Sequence, residues 1–147
     1  AFGQRRNIPV ALLRLAGIYG PGSNALVNLA DGAAKRLIKP GQVFNRIHVA
    51  DIAQAIDAAF AHKASGAFNV CDNEPAPPQD VVGFAAELMG VTPPPSVSFD
   101  SARASLSPMA LTFYGENKRV RNARLTHELG VTLRYPTYRP RGPAPRG

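Results

Sequence analysis

Apolar residues occur in short blocks divided by glycine and proline, and their spacing switches between extended and helical periods. Residues 8–16 form the first block, interrupted only by Pro9 and Arg14 and stopped by Gly17, Gly20, Pro21 and Gly22. So short a run predicts a buried strand of a parallel sheet. Ser23 or Asn24 can cap the next element, a helix expected to reach about Leu37 with Leu26, Leu29, Ala30, Ala33, Ala34 and Leu37 on its inner face. Lys39, Pro40 and Gly41 stop it. Residues 42–49 read as extended and lead into Asp51, a candidate helix cap with Gln54 at the matching capping-box position. The helix over 52–62 is expected to bury Ile52, Ala55, Ile56, Ala59 and Phe60.

Gly66 then turns the chain into a strand over 67–71. Pro77, Pro78 and Asp80 favour a helix start, and Val81, Phe84, Ala85 and Leu88 form a stripe ahead of Gly90. From 91 to 109 the pattern loosens around Pro93, Pro94 and Pro95, which predicts a surface loop or an irregular subdomain. Residues 118–121 suit a short strand, and Asn122 suits the cap of a helix over 123–129 closed by Gly130. Strand and helix alternate without an internal repeat, so the fold class is α/β.

Hydrophobic residues are 45% and charged residues 18% of the 147, the composition of a folded domain. No apolar run approaches the roughly 18 residues that span a bilayer, and Ala1 to Asn7 lack the apolar stretch of a secretory signal, so no membrane is expected and a cytoplasmic location is the default. The single cysteine, Cys71, fits a reducing compartment and excludes a multi-cysteine zinc site. A net charge of +7 would suggest nucleic acid, but its distribution changes that picture. Residues 1–117 hold nine basic and nine acidic side chains, and the whole excess lies in 118–147, where eight basic residues face only Glu128. The stretch from Arg139 to Gly147 has no periodicity and reads as a disordered basic tail, and 118–147 as a whole is expected to give weak, non-specific polyanion binding.

Four groups of residues bear on chemistry. Gly17-Ile-Tyr-Gly20-Pro-Gly22 sits between a strand and a helix, as a dinucleotide phosphate loop would, but its glycine spacing is wrong and Pro21 removes an amide. Tyr114 and Lys118 have the Tyr-x-x-x-Lys spacing of a catalytic pair, yet Gly115 and Asn117 are poor helix formers and the match is read as chance. His48 lies three residues before Asp51 with no third ligand of known spacing, so no metal site is expected; His48 is read as a partly buried, hydrogen-bonded side chain. Cys71 has no nearby base and is read as a small strand residue, while His62 and His127 suit structural positions near helix ends.

Leu13-Arg-Leu-Ala-Gly-Ile-Tyr-Gly-Pro-Gly22, Asn45-Arg-Ile-His-Val-Ala-Asp-Ile-Ala-Gln-Ala-Ile56 and Gly66-Ala-Phe-Asn-Val70, in this order, resemble the C-terminal half of extended short-chain dehydrogenase/reductases, the NAD-dependent epimerase/dehydratase family. Lys39-Pro-Gly-Gln-Val-Phe44 and Tyr135-Pro-Thr-Tyr138 look like an uncharacterised bacterial branch of it. The resemblance covers about 8–138. It implies the C-terminal part of a Rossmann-like parallel sheet with a smaller substrate lobe, so 1–138 is taken as that half-domain and 139–147 as the tail. It also implies a nicotinamide-side role for Tyr19, Gly20 and Pro21, and places Arg46 and His48 at the substrate cleft. Nucleotide-sugar enzymes of the family often have asparagine where Gly17 stands, so the resemblance does not extend to that substrate.

The family's glycine-rich loop and its Tyr-x-x-x-Lys precede the strand that ends at Tyr19, and only twelve residues stand before Leu13. Tyr114 and Lys118 come after it and are not that pair. No catalytic residue is therefore expected in this chain. NAD or NADP is the expected cofactor of a full-length protein, with no tight binding by this chain alone. The expected partners are an N-terminal half or a second copy covering the apolar edge at 10–16, and a small-molecule substrate. Two other readings stand beside this one: a non-catalytic ligand-binding or regulatory module of the same fold, and, last, a basic nucleic-acid binder, which lacks interleaved aromatics.

Overall fold

In the computed structural model, which describes residues 7–139, the first apolar block divides at Ala16 into two strands, β1 (Ala11–Leu15) and β2 (Gly17–Tyr19). Helix α1 (Ala25–Ala30), β3 (Arg36–Ile38), β4 (Arg46–His48), α2 (Val49–Ala61) and β5 (Gly66–Val70) follow. Then come α3 (Pro78–Met89), β6 (Ser96–Ser98), α4 (Phe99–Ala102), a 3-10 turn (Arg103–Ser105), α5 (Pro108–Gly115) and a π-helical turn (Arg124–Glu128). The three strand pairs, β1 with β5, β2 with β4 and β3 with β6, are all parallel, as an α/β Rossmann-like architecture requires. The chain divides into two compact units, one of 7–19, 46–74 and 120–139, the other of 20–45 and 75–119. No described helix is long and apolar enough to cross a membrane.

In the first unit, β1 and β5 run in register from Ala11 opposite Gly66 to Leu15 opposite Val70. Ile47, Ala55, Phe68, Val70, Leu125, Leu129, Val131 and Leu133 form its core. Ala11 and Leu13 pack against that core, whereas Leu12 and Arg14 on the opposite face are exposed, as is Leu15 at the strand end, so β1 is covered on one face and not on both as its apolar run suggests. The helical face of α2 needs a similar correction: Ala55 is buried and Ile52 and Ala59 pack on the core, but Ile56 is exposed and Phe60 is 80% exposed. The cap of α2 is His48, whose Nδ1 accepts from the Ala50 amide at 3.0 Å; Asp51 lies inside the first turn and is not the cap.

The expected strand at 118–121 is absent, and Asn122 does not cap the last helical turn. Its side-chain amide donates instead to the Cys71 carbonyl at 2.9 Å and to Asn73 Oδ1 at 2.8 Å. Of the expected basic tail, Arg139 is ordered by an ion pair with Glu74 at 3.1 Å, and 140–147 lie outside the described residues.

The second unit departs furthest from the periodic pattern. Asn24 caps α1 by accepting from the Val27 amide at 3.0 Å, but the helix stops at Ala30 and not near Leu37. Gly32 takes a left-handed φ of 72°, and the Asn28 carbonyl accepts from both Ala33 and Ala34, which spends the acceptors a longer helix would use. Leu37 is thereby released to β3, which pairs with β6 from Arg36 opposite Ser96 to Ile38 opposite Ser98. The stretch 91–109, expected as a surface loop or an irregular subdomain, is the second of these and holds a strand, a short helix and a 3-10 turn.

Helix α3 begins at Pro78 and ends at left-handed Gly90, as the prolines and glycine predict, and packs against α1 and β3. Tyr114, at the end of α5, stacks on Phe99 and meets Phe44 edge-on, both with ring centroids 5.2 Å apart, while Lys118 lies outside any helix or strand. The two do not share a helix, in keeping with a chance match. A cleft of about 620 Å³ in this unit is lined by Leu37, Pro94, Val97, Leu106, Lys35 and Tyr114 among others.

Candidate functional site

Parallel register places Gly17 beside Arg46 and Tyr19 beside His48. Side chains alternate along a strand, so these four positions share one face, while Ile47, fully buried in the core, points the other way. Gly17 contributes no side chain to that face, which is left to Tyr19, Arg46 and His48. Tyr19 and His48 are the last residues of β2 and β4, and Cys71 and Asp72 directly follow β5. The Asp72 amide donates to the Arg46 carbonyl at 2.7 Å, tying the end of β5 to β4. Tyr19, His48, Cys71 and Asp72 stand at the carboxyl ends of parallel strands, where open α/β sheets bind ligands, while Arg46 opens β4.

His48 is 8% exposed and held between two rings: Tyr19 meets it edge-on with centroids 5.2 Å apart, and Tyr135 stacks on it at 3.6 Å. The sequence predicts a partly buried, hydrogen-bonded histidine; the hydrogen bond is present and the burial is deeper than expected. Tyr135 is brought there by Asp51, whose fully buried carboxylate accepts from the Arg134 amide at 2.8 Å, the Tyr135 amide at 2.9 Å and the Gln54 side chain at 2.7 Å. Further along the same segment the Tyr19 hydroxyl donates to the Thr137 carbonyl at 3.3 Å, and the Asn73 amide donates to the Pro136 carbonyl at 2.8 Å.

The electrostatics separate reactive from inert groups. Burial, with the nearby Asp72 and Asp51 charges, pushes Tyr19 up to about 12, so at neutral pH it is a hydrogen-bond donor and not a base. Burial and Asp72 push the Cys71 thiol up to about 11, which suits an unreactive side chain with its sulfur 3.6 Å from the Val120 carbonyl. Arg46 is pushed down by burial, against Asp72, Tyr138, Tyr19 and Glu74, which favour its charge. Asp72 stands out. Burial raises it to about 6, opposed by the Glu74 amide and Arg46 and aided by Glu74 and Asp51.

A carboxyl whose folded pKa exceeds its unfolded value binds more protons in the native state between the two. Its contribution is present below about pH 4 and is lost as pH rises through about 6. Asp72→Asn should remove that loss and gain at most about 3 kcal/mol over wild type at pH 7 relative to pH 4, by urea unfolding at both pH values. A pH-independent difference between the two proteins would show that Asp72 titrates normally.

Gly20 and Pro21 belong to a tight turn. The Gly20 amide donates to the Ser23 carbonyl at 2.9 Å, and its carbonyl accepts from Ser23 and from the Asn24 side chain. With that amide engaged and Pro21 lacking one, the turn does not fit the phosphates of a dinucleotide. Sequence reasoning missed Asp72, Tyr135 and the actual partners of Asp51. A carboxylate immediately after an apolar strand was the available signal for Asp72; the others depend on contacts 83 and 84 residues apart in sequence.

The fold is that of the C-terminal portion of Rossmann-like NAD-dependent epimerases and dehydratases. A functionally unknown conserved protein from Silicibacter pomeroyi shares 58% identity over 90% of this chain and 46% of its own, with a TM-score of 0.83. A putative NAD-dependent epimerase/dehydratase from Methylobacillus flagellatus shares 28% identity over 87% of this chain and 43% of its own, with a TM-score of 0.56. The human epimerase family protein SDR39U1, solved with NADPH, shares 20% identity over 88% of this chain and 45% of its own, with a TM-score of 0.70. This chain therefore spans less than half the length of these structures. No family profile and no curated protein matches the sequence.

Proposed function

We propose that this chain is the substrate-side portion of an NAD(P)-dependent oxidoreductase or epimerase/dehydratase-like protein and has no activity by itself. In this reading Tyr19, Gly20 and Pro21 lie toward the nicotinamide, Arg46 and His48 face a small-molecule substrate, and an N-terminal half or a second copy covers β1. The supporting observation is the shared face of Tyr19, Arg46 and His48, with Tyr19 and His48 closing the parallel strands β2 and β4. Positioning and charge are what these residues can supply, with the hydride chemistry left to the dinucleotide. Calorimetry of the 147-residue chain with NADH and with NADPH is expected to show no micromolar binding. Micromolar affinity would overturn the division of labour proposed here, because this chain would then hold the pyrophosphate itself.

A further inference from the structure

The parallel pairing of β3 with β6 sets Leu37 opposite Val97, so the two side chains stand together on one face of the strand pair. Both line the cleft of about 620 Å³ in the second unit, a size within the roughly 300–1,000 Å³ that holds small-molecule ligands. Pro94, Pro95 and Leu106 add apolar wall. The proline rings hold that wall rigid, so little ordering is needed when a ligand enters. Val97 is 42% exposed, apolar surface that an occupant of the cleft would take out of water.

The polar groups of the cleft are unequal. The Ser101 hydroxyl donates to the Ser98 carbonyl at 3.0 Å and the Ser105 hydroxyl to the Ala102 carbonyl at 2.8 Å, so both donors are spent within the chain. Lys35 is the one charged side chain among the described lining residues, is exposed, and makes no hydrogen bond or ion pair with any described residue. A second cation stands next to the wall: Arg36 Nη1 donates to the Pro94 carbonyl at 3.4 Å, while its Nε is buried without an acceptor. We propose that this cleft binds a small organic monocarboxylate with an apolar body, which covers Leu37, Val97, Pro94 and Leu106 and sets its carboxylate against the Lys35 ammonium. A small inorganic anion would leave Val97 in water, and a neutral apolar molecule would make no use of Lys35. A polyphosphate would bring several charges to a lining that offers one cation. Every lining residue lies in the second unit, so the inference does not rest on the roles proposed for Tyr19, Arg46 and His48.

The 147-residue chain is titrated with octanoate and with cinnamate, as flexible and planar carboxylates, and with their neutral amides, while the methyl resonances of Leu37, Val97 and Leu106 are followed by NMR. One or both carboxylates are expected to shift these methyls saturably and to bind roughly three- to fivefold tighter than the matching amide, the worth of one exposed ion pair. Acetate, which lacks the apolar body, should bind at least roughly tenfold more weakly than octanoate. Lys35→Gln should bring the carboxylate down to the affinity of its amide and leave the amide unchanged. Val97→Asp, at a position exposed enough to accept a polar side chain, should weaken carboxylate binding roughly tenfold or more by removing apolar contact and adding a like charge. Equal affinities of carboxylate and amide in the wild type, or undiminished carboxylate binding in Lys35→Gln, would overturn the anionic class of the ligand. Methyls that move with neither carboxylate, or binding that persists at full affinity in Val97→Asp, would overturn the site itself.

Discussion

Asp51→Ala is expected to lower stability by about 3–5 kcal/mol, a large part of the 5–15 kcal/mol that holds a typical domain together. Asp51 is fully buried, and its two carboxylate oxygens accept three hydrogen bonds, two of them from consecutive backbone amides of Arg134 and Tyr135. Alanine leaves both part-buried amides without their acceptor, each at a cost of about 1 kcal/mol or more in addition to the lost charge-assisted bond. Asp51→Asn keeps one acceptor but faces two donor amides, so it should recover less than half of the loss. Beyond stability, the substitution should release the 134–139 segment. Tyr135 would leave the His48 ring, and amide exchange at Arg134 and Tyr135 should rise to the rate of exposed backbone. Urea unfolding with hydrogen exchange checks both effects; a loss below about 1 kcal/mol with Tyr135 still protected would contradict this account.

Phe68→Ala should cost a similar amount, about 3–5 kcal/mol, for a different reason. Phe68 lies in the middle of β5, 2% exposed, in a core with Ile47, Val70, Leu125 and Leu133, and the Arg124 guanidinium stands 4.4 Å from its ring centroid. Truncation removes the ring's transfer free energy, opens a cavity that the flanking strands cannot close, and takes away the cation–π contact. The comparison that isolates burial is Phe60→Ala on α2, where the ring is 80% exposed and the change should stay within about 0.5 kcal/mol. Thermal or urea unfolding of the two variants side by side decides it. Equal losses would mean that the ring of Phe60 is covered in solution, as the helical period of α2 suggests.

The contrast between these phenylalanines shows what local pattern can and cannot convey. Periodicity located α2 and β5 and put Phe60 on the inner face of α2, because spacing along one element reports which residues share a face. Whether anything covers that face is decided by other elements, and for Phe60, Leu12 and Leu15 the described chain supplies little cover. The helix expected through Leu37 failed for a related reason. Apolar spacing over 26–37 is helical, but Gly32 offers a low-cost left-handed stop and β6 offers Leu37 a strand partner about 60 residues away. Tertiary pairing outweighs propensities of a few tenths of a kcal/mol per residue.

The candidate site divides along the same line. Tyr19, Arg46 and His48 stand out through the family resemblance of the stretches that bear them, and the parallel register places them on one face. The α/β class, the proline start and glycine end of α3 and the inert character of Cys71 were likewise determined by the sequence alone, since each follows from backbone stereochemistry or from the lack of a neighbouring base. Only the tertiary structure decided that His48 caps α2, that Asp51 holds the 134–139 segment across more than 80 residues, and that Asp72 is buried beside Arg46 with an oxygen to spare. A carboxylate's role depends on which donors and charges the folded chain brings within a few ångströms, and that proximity comes from packing among distant segments, on which spacing along the chain has no hold.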